Sequence, residues 1–362
     1  MNLRIPGPTP CPDEVLAAGA RQMMNHRGPE FAQILRRVTD GLNWVFGSSA
    51  DVLSITTSGT GGLEAAIVNT LSPGDRVLSV SIGSFGERLK SIAKAYGAEV
   101  TSYALEWGEA ADPAVIAKML DEDKSLKAVL VTHNETSTGV TNPLQAIARE
   151  VRARDRLIIV DAVSSMSSIP CPVERWELDV VVSGSQKGWM VPPGLAFLYM
   201  SERAWAANAE AKMPRFYFDA VKTRDSLEKL QNPWTPAMSV YYQMDKAFEL
   251  MRAEGLEGIF TRHEAIADYT RGRVTSLGLK LVPVDPKFAS NTVTAVWWPE
   301  GVDGKAISKK AREEHGVVIG GGQGKLDGKI FRIGHLGFVS QQDVKEAIDV
   351  VEKLMAEQKA AV

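Results

Sequence analysis

A lysine at the end of an apolar run is the first residue in this sequence with chemistry to offer. Residues 179–183 (DVVVS) lead into Gly184-Ser185-Gln186-Lys187-Gly188, and Pro192-Pro193-Gly194 then turns the chain into a second apolar run. An ammonium held beside two buried strands is desolvated, which lowers its pKa and makes the amine a usable nucleophile. Most lysines are solvated surface residues, and these flanking runs set Lys187 apart from them. Asp161 closes another such run, LIIVD at 157–161. A carboxylate at the end of a buried strand needs a partner. A cationic ring nitrogen, a metal, a ribose hydroxyl or a helix N-terminus would each serve, and simple helix capping is the alternative. A third segment, Thr57-Ser58-Gly59-Thr60-Gly61-Gly62, joins VLSIT to the helical pattern LEAAIVN. Glycines and small hydroxyls at a strand-to-helix turn present backbone N–H groups at the positive end of a helix, a cradle for phosphate. Glu64 stands where a dinucleotide-binding turn needs its third glycine, and no Lys-Ser or Lys-Thr pair follows, so neither common nucleotide motif is present. The fourth segment, Thr132-His133-Asn134-Glu135-Thr136-Ser137-Thr138-Gly139, gathers hydroxyl and amide side chains directly after an apolar run.

The elements that must position these residues alternate in type. Residues 52–56, 76–81, 127–132, 157–161, 179–183 and 195–200 are aliphatic or β-branched runs without polar alternation, as in a parallel sheet covered on both faces. Helical patterns at 61–70, 84–96 and 143–154 lie between them, which indicates an α/β sheet with right-handed crossovers. Ligands of open α/β sheets bind beyond the carboxyl ends of the strands, where all four segments fall. The chain turns at 232–236 (NPWTP), and long helical patterns follow at 237–254 and 258–277. Short strands at 279–284, 292–298 and 329–333 then alternate with helices at 303–315 and 340–358. The reading is an N-terminal arm (1–14), a large domain (15–258) and a smaller α+β domain (259–362). Pro6, Pro8, Pro10 and Pro12 make the arm extended, so it must lie on another surface or cross a subunit boundary. Gly320-Gly321-Gly322-Gln323-Gly324 reads as a mobile loop.

Bulk composition narrows the classes. With 362 residues and a formal net charge of -3, the chain offers no electrostatic case for nucleic acid or an anionic membrane surface. No apolar run approaches the ~20 residues that span a bilayer, and the proline-broken N-terminus does not read as a signal peptide. Cys11 and Cys171 read as cytosolic thiols, so a cytoplasmic location is expected. His26, His133, His263, His315 and His335 show no metal-ligand spacing, and no metal is expected.

A phosphate cradle, a carboxylate and a desolvated lysine at one sheet edge fit a phosphorylated aldehyde with a ring nitrogen, held as an imine. Pyridoxal 5'-phosphate is that molecule. The sequence resembles the class V, fold-type I aminotransferases, and among them the alanine–glyoxylate, serine–glyoxylate and serine–pyruvate group. The likeness runs from Pro6-Gly7-Pro8-Thr9 to Arg332-Ile333-Gly334. It is most specific at Val160-Asp161-Ala162-Val163-Ser164-Ser165, Ser183-Gly184-Ser185-Gln186-Lys187 and Glu135-Thr136-Ser137-Thr138-Gly139-Val140. The resemblance implies a mostly parallel seven-stranded sheet plus a smaller C-terminal domain. It implies that Lys187 forms the cofactor Schiff base and moves the proton, while Asp161 faces the pyridinium nitrogen. Ser58, Gly59, Thr60 and Gln186 would hold the phosphate, and Phe85 would stack on the ring where many members have Trp. Val163 would pack on the other ring face, and Ser137 would lie near the ring hydroxyl. Arg332, with the Gly7-Pro8 arm, would bind the substrate carboxylate. A homodimer with shared sites is implied, in which Thr235 reaches a partner's phosphate; Asn232 stands where some relatives carry Tyr. The expected reaction is ping-pong transamination from alanine or serine to glyoxylate or pyruvate. Phosphoserine or an aminophosphonate, with His26 and Arg27 as added basic groups, and a non-catalytic subunit of the same fold are the alternatives. Cysteine desulfurase, which needs a cysteine in a C-terminal loop, is excluded because both cysteines lie in the first half.

Overall fold

Strands form where aliphatic and β-branched residues run together, because helices cover both faces of the sheet they build. The computed structural model describes residues 1–360. Its strands are β1 (Asn2–Arg4), β2 (Leu53–Thr56), β3 (Arg76–Ser81), β4 (Glu99–Ala104), β5 (Leu126–Thr132), β6 (Leu157–Asp161), β7 (Val180–Gly184), β8 (Leu195–Met200), β9 (Val293–Trp297), β10 (Val317–Gly321) and β11 (Ile330–Gly334). A further two-residue ladder pairs Asn134–Glu135 with Val140–Thr141. Seven strands form one sheet in the order β2-β8-β7-β6-β5-β3-β4, in which only β8 runs against its neighbours. A second sheet has the order β1-β10-β11-β9, with β1 parallel to β10 and the other pairings antiparallel.

Each sheet has its own apolar core. The larger core joins Val129, Ile159, Val181 and Phe197 on the strands to Leu35, Leu63 and Phe248 on the helices. The smaller core joins Val296, Ile319 and Phe331 to Ile266, Ile307 and Ile348. The helices follow their local signals. Pro29 opens Pro29–Phe46, and Gly47 ends it in the left-handed region at φ 64°. The Ser58 side chain caps Gly59–Thr70, and Asp303 caps Gly304–His315.

The structure departs from the sequence reading at four places. Glu99–Ala104, absent from the expected strands, is the sheet-edge strand β4, whose half-exposed polar residues hide the apolar signature of its neighbours. Residues 279–284 make only an isolated bridge between Leu281 and Val296. Gly320 and Gly321 belong to β10, paired with Arg332 and Phe331, so that part of the expected mobile loop is ladder. The arm begins as β1, a short strand paired with β10 of its own chain.

Candidate active site

Strand β7 ends at Gly184, and the turn after it places Lys187 under the N-terminal arm. Ser185 fixes that turn by donating its hydroxyl to the Pro192 carbonyl at 2.8 Å and accepting the Leu195 N–H at 3.2 Å. Lys187 is 8% exposed, and its Nζ donates to the Pro6 carbonyl at 2.6 Å. Burial pushes the amine down to about 8, against the pull of Asp161 and with help from the positive charges of Arg332 and Arg88. Gly7 is required here on two grounds. Its φ is +133°, and a Cβ would come within 2.7 Å of the lysine nitrogen.

Asp161 closes β6 with its carboxyl buried. Oδ1 accepts the Val163 N–H at 3.0 Å, while burial raises the carboxyl to about 6. Such a group becomes a stable carboxylate once a cation faces it. Ser58, Gly59 and Thr60 open the helix Gly59–Thr70, and the cradle is tight: a Cβ on Gly59 would meet Val163 Cγ2 at 3.0 Å. Gln186 Oε1 is buried without a partner, an orphaned acceptor beside that cradle.

Ten of the expected site residues line one cavity of about 240 Å³: Gly7, Pro8, Ser58, Gly59, Thr60, Phe85, Asp161, Val163, Gln186 and Lys187. Leu63 and Arg88 complete the lining. Three expected residues are placed differently. Ser137 is fully buried outside the lining, where its hydroxyl donates to Glu135 Oε1 at 2.6 Å and accepts the Ser84 N–H at 2.9 Å. Through those bonds Ser137 supports the turn at Gly83–Ser84. Thr235 is exposed and lies outside the cavity of its own chain. Arg332, on β11, is 5% exposed and donates Nε to the Gly321 carbonyl at 2.7 Å and Nη1 to the Thr136 carbonyl at 2.9 Å. Burial lowers its guanidinium to about 10, opposed by Glu135, and its hydrogen bonds go to backbone carbonyls and not to a carboxylate. Two carbonyls thus orient the fork and leave Nη2 for an anion.

Two residues outside the expected site emerge with it. Glu135 is fully buried, and its carboxylate accepts the N–H groups of Phe85 (2.9 Å), Gly86 (3.0 Å) and Ser137 (3.1 Å) as well as the Ser137 hydroxyl. It thereby holds the start of the helix Ser84–Ala95 and the ring of Phe85. Burial still raises its carboxyl. Its place beside Ser137 in the hydroxyl-rich segment was its only signal in the sequence. Arg88, one turn beyond Phe85, sits with its guanidinium carbon 4.7 Å from the centre of that ring.

The family model described as aminotransferase class-V matches residues 5–326. A protein of Synechococcus sp. named soluble hydrogenase, small subunit, is 44% identical over 98% of this chain and 93% of its own length. A serine–glyoxylate aminotransferase of Methylorubrum extorquens is 36% identical over 96% of this chain and 89% of its own. The crystal structure of an alanine–glyoxylate aminotransferase from Nostoc sp. superposes with a TM-score of 0.94 at 31% identity, covering 98% of this chain and 94% of that one.

Proposed function

From its membership of the class V aminotransferases, the family to which this chain belongs, we propose that it moves an amino group from alanine or serine to glyoxylate or pyruvate. The fold is that of the fold-type I enzymes, which use pyridoxal 5'-phosphate. The residues present fit that cofactor: a cradle of Ser58, Gly59 and Thr60 at a helix N-terminus, a buried lysine and a buried acid line one cavity. When bound, the cofactor supplies an aldehyde for the lysine and a ring that accepts the electron pair left as Cα loses its proton.

The side chains divide the remaining work. Lys187, with its amine near 8, would serve as the nucleophile toward the aldehyde and as the base that takes the Cα proton. Asp161 would hold a positive charge on the ring nitrogen through a charge-assisted bond. Arg332 offers its free guanidinium edge to the α-carboxylate, which fixes the Cα–H relative to Lys187. The arm excludes water over the lysine. We further propose a cytoplasmic homodimer in which Thr235 completes the partner's phosphate site. Thr235 is exposed beside Trp234, which stacks on the exposed Phe216 at 5.0 Å, an aromatic patch suited to burial against a second copy.

The observation that carries the reading is Lys187, buried in one cavity with Asp161 and the cradle. Its test is a half-reaction screen, in which alanine or serine should bleach the cofactor absorbance of the pure protein while borohydride reduction labels Lys187. A label on another residue, or none, would overturn it. The name of the Synechococcus relative raises the second reading, a non-catalytic subunit. That role has no use for Lys187 and Asp161 in one cavity, and it would be favoured if cofactor bound but no amino acid bleached it.

A further inference from the structure

The cradle at Ser58–Thr60 is assembled from neutral groups: backbone N–H, two hydroxyls and the Gln186 amide. A phosphate monoester carries about -1.5 to -2 charge at neutral pH, and neutral donors alone leave that charge unbalanced. The lining holds two cations. Lys187 is committed to the aldehyde, which leaves Arg88. Three observations bear on what Arg88 does. Its guanidinium lies over the Phe85 ring, 4.7 Å from ring centre to Cζ. Its Nη1 donates to the Thr60 hydroxyl, a member of the cradle, at 3.4 Å. It has no ion-pair partner among the described residues, although the adjacent Glu87 is engaged by Lys90 on the same helix. An exposed arginine free of carboxylates, steadied by an aromatic face and tied to the cradle, is arranged to receive an anion.

We infer that Arg88 is the cation that balances the cofactor's phosphate. The inference rests on the pyridoxal phosphate reading above and adds a residue to it. The planar fork matches phosphate oxygens, and Phe85 beneath it reduces the ordering cost of the long side chain. A substrate carboxylate is the other anion of the reaction, and the proposed function assigns it to Arg332. The bond to Thr60 directs Arg88 to the phosphate end.

The test compares two ligands that differ only in the phosphate. The full-length chain, stripped of cofactor, is titrated with pyridoxal 5'-phosphate and separately with pyridoxal, followed by imine absorbance. Arg88→Met should weaken pyridoxal phosphate about tenfold or more, as the loss of a charged hydrogen bond does, and weaken pyridoxal far less. Arg88→Lys should recover part of that loss. Equal weakening of both ligands would mean that Arg88 acts only through the Phe85 platform, and no weakening of either would mean that it does not bind the cofactor. A raised KM for the amino acid with cofactor affinity intact would assign it to substrate. Each of these three results overturns the inference. If the wild-type chain captured neither ligand, the cofactor reading itself would fall, a result distinct from failure of the Arg88 variants alone.

Discussion

At the scale of single residues, the site depends on proton affinities set by burial. The neutral amine is the form of Lys187 that attacks an aldehyde, and with the group near 8 its fraction grows as pH rises and levels off above that value. Cofactor capture by the cofactor-free chain should therefore speed up about tenfold per pH unit below 8 and plateau above it, measured by stopped-flow absorbance. A capture rate still climbing toward about pH 10, the range of a solvated lysine, would contradict the burial argument. Asp161→Asn keeps an acceptor for the Val163 N–H but removes the charge that meets the ring nitrogen. The variant should fold and bind cofactor, with its half-reaction slowed by about two to three orders of magnitude; near-normal turnover would remove Asp161 from the mechanism. Both residues were legible in the sequence because Asp161 ends an apolar strand run and Lys187 lies in the turn directly after another. Arg88 was not, because its meaning comes from Thr60, 28 positions away, and from a ring one helical turn back.

Among the elements, the hydroxyl-rich segment after β5 illustrates how far local reading reaches. Its position at a strand end was evident, but the division of labour within it was not: Ser137 and Glu135 have turned inward to each other, and Thr136 gives its carbonyl to Arg332. Only tertiary contact decides which side chain of a polar run faces a cavity. Glu135 makes this testable. Glu135→Ala leaves the N–H groups of Phe85, Gly86 and Ser137 buried without an acceptor, and should cost roughly 3 kcal/mol of stability by urea denaturation. Glu135→Gln retains one acceptor oxygen and should lose less than half as much. Equal losses would show that volume, not hydrogen bonding, is what Glu135 supplies. The same limit explains the strands. Central β5, β6 and β7 announce themselves by continuous aliphatic residues, whereas β4 has no buried residue at the sheet edge and β10 ends in glycines that resemble a loop. Gly334 is a further case. A Cβ there would lie 2.2 Å from the Ile5 carbonyl, so the glycine leaves room for the arm, a partner more than three hundred residues away.

Across the whole molecule, the arm couples the two sheets to the chemistry. Its prolines made extension legible from the sequence, but not its destination. Asn2–Arg4 pair with Val317–Ile319 at the edge of the small sheet. Pro6 then passes over Gly320, its Cδ 3.0 Å from where a Cβ would stand, and gives its carbonyl to Lys187. Thr9 finishes the crossing by donating its N–H to the Gln186 carbonyl at 3.1 Å and its hydroxyl to the Lys187 carbonyl at 2.9 Å. The lysine turn of the large sheet is thus strapped to the small sheet by fewer than ten residues, and any shift between the sheets is felt at the reacting nitrogen. Deleting residues 1–9 exposes the β10 edge and strips the acceptor from Lys187. The truncated chain should keep its large-sheet core, melt a few degrees lower and release cofactor at least about tenfold faster, read by thermal circular dichroism and by the decay of imine absorbance on dilution. A lower melting temperature with unchanged cofactor release would make the strap purely structural, because water would then reach the imine no more easily without it. Faster release with an unchanged melting temperature would instead separate the cover over Lys187 from the β1 pairing. The expected joint loss follows only if one continuous segment performs both tasks.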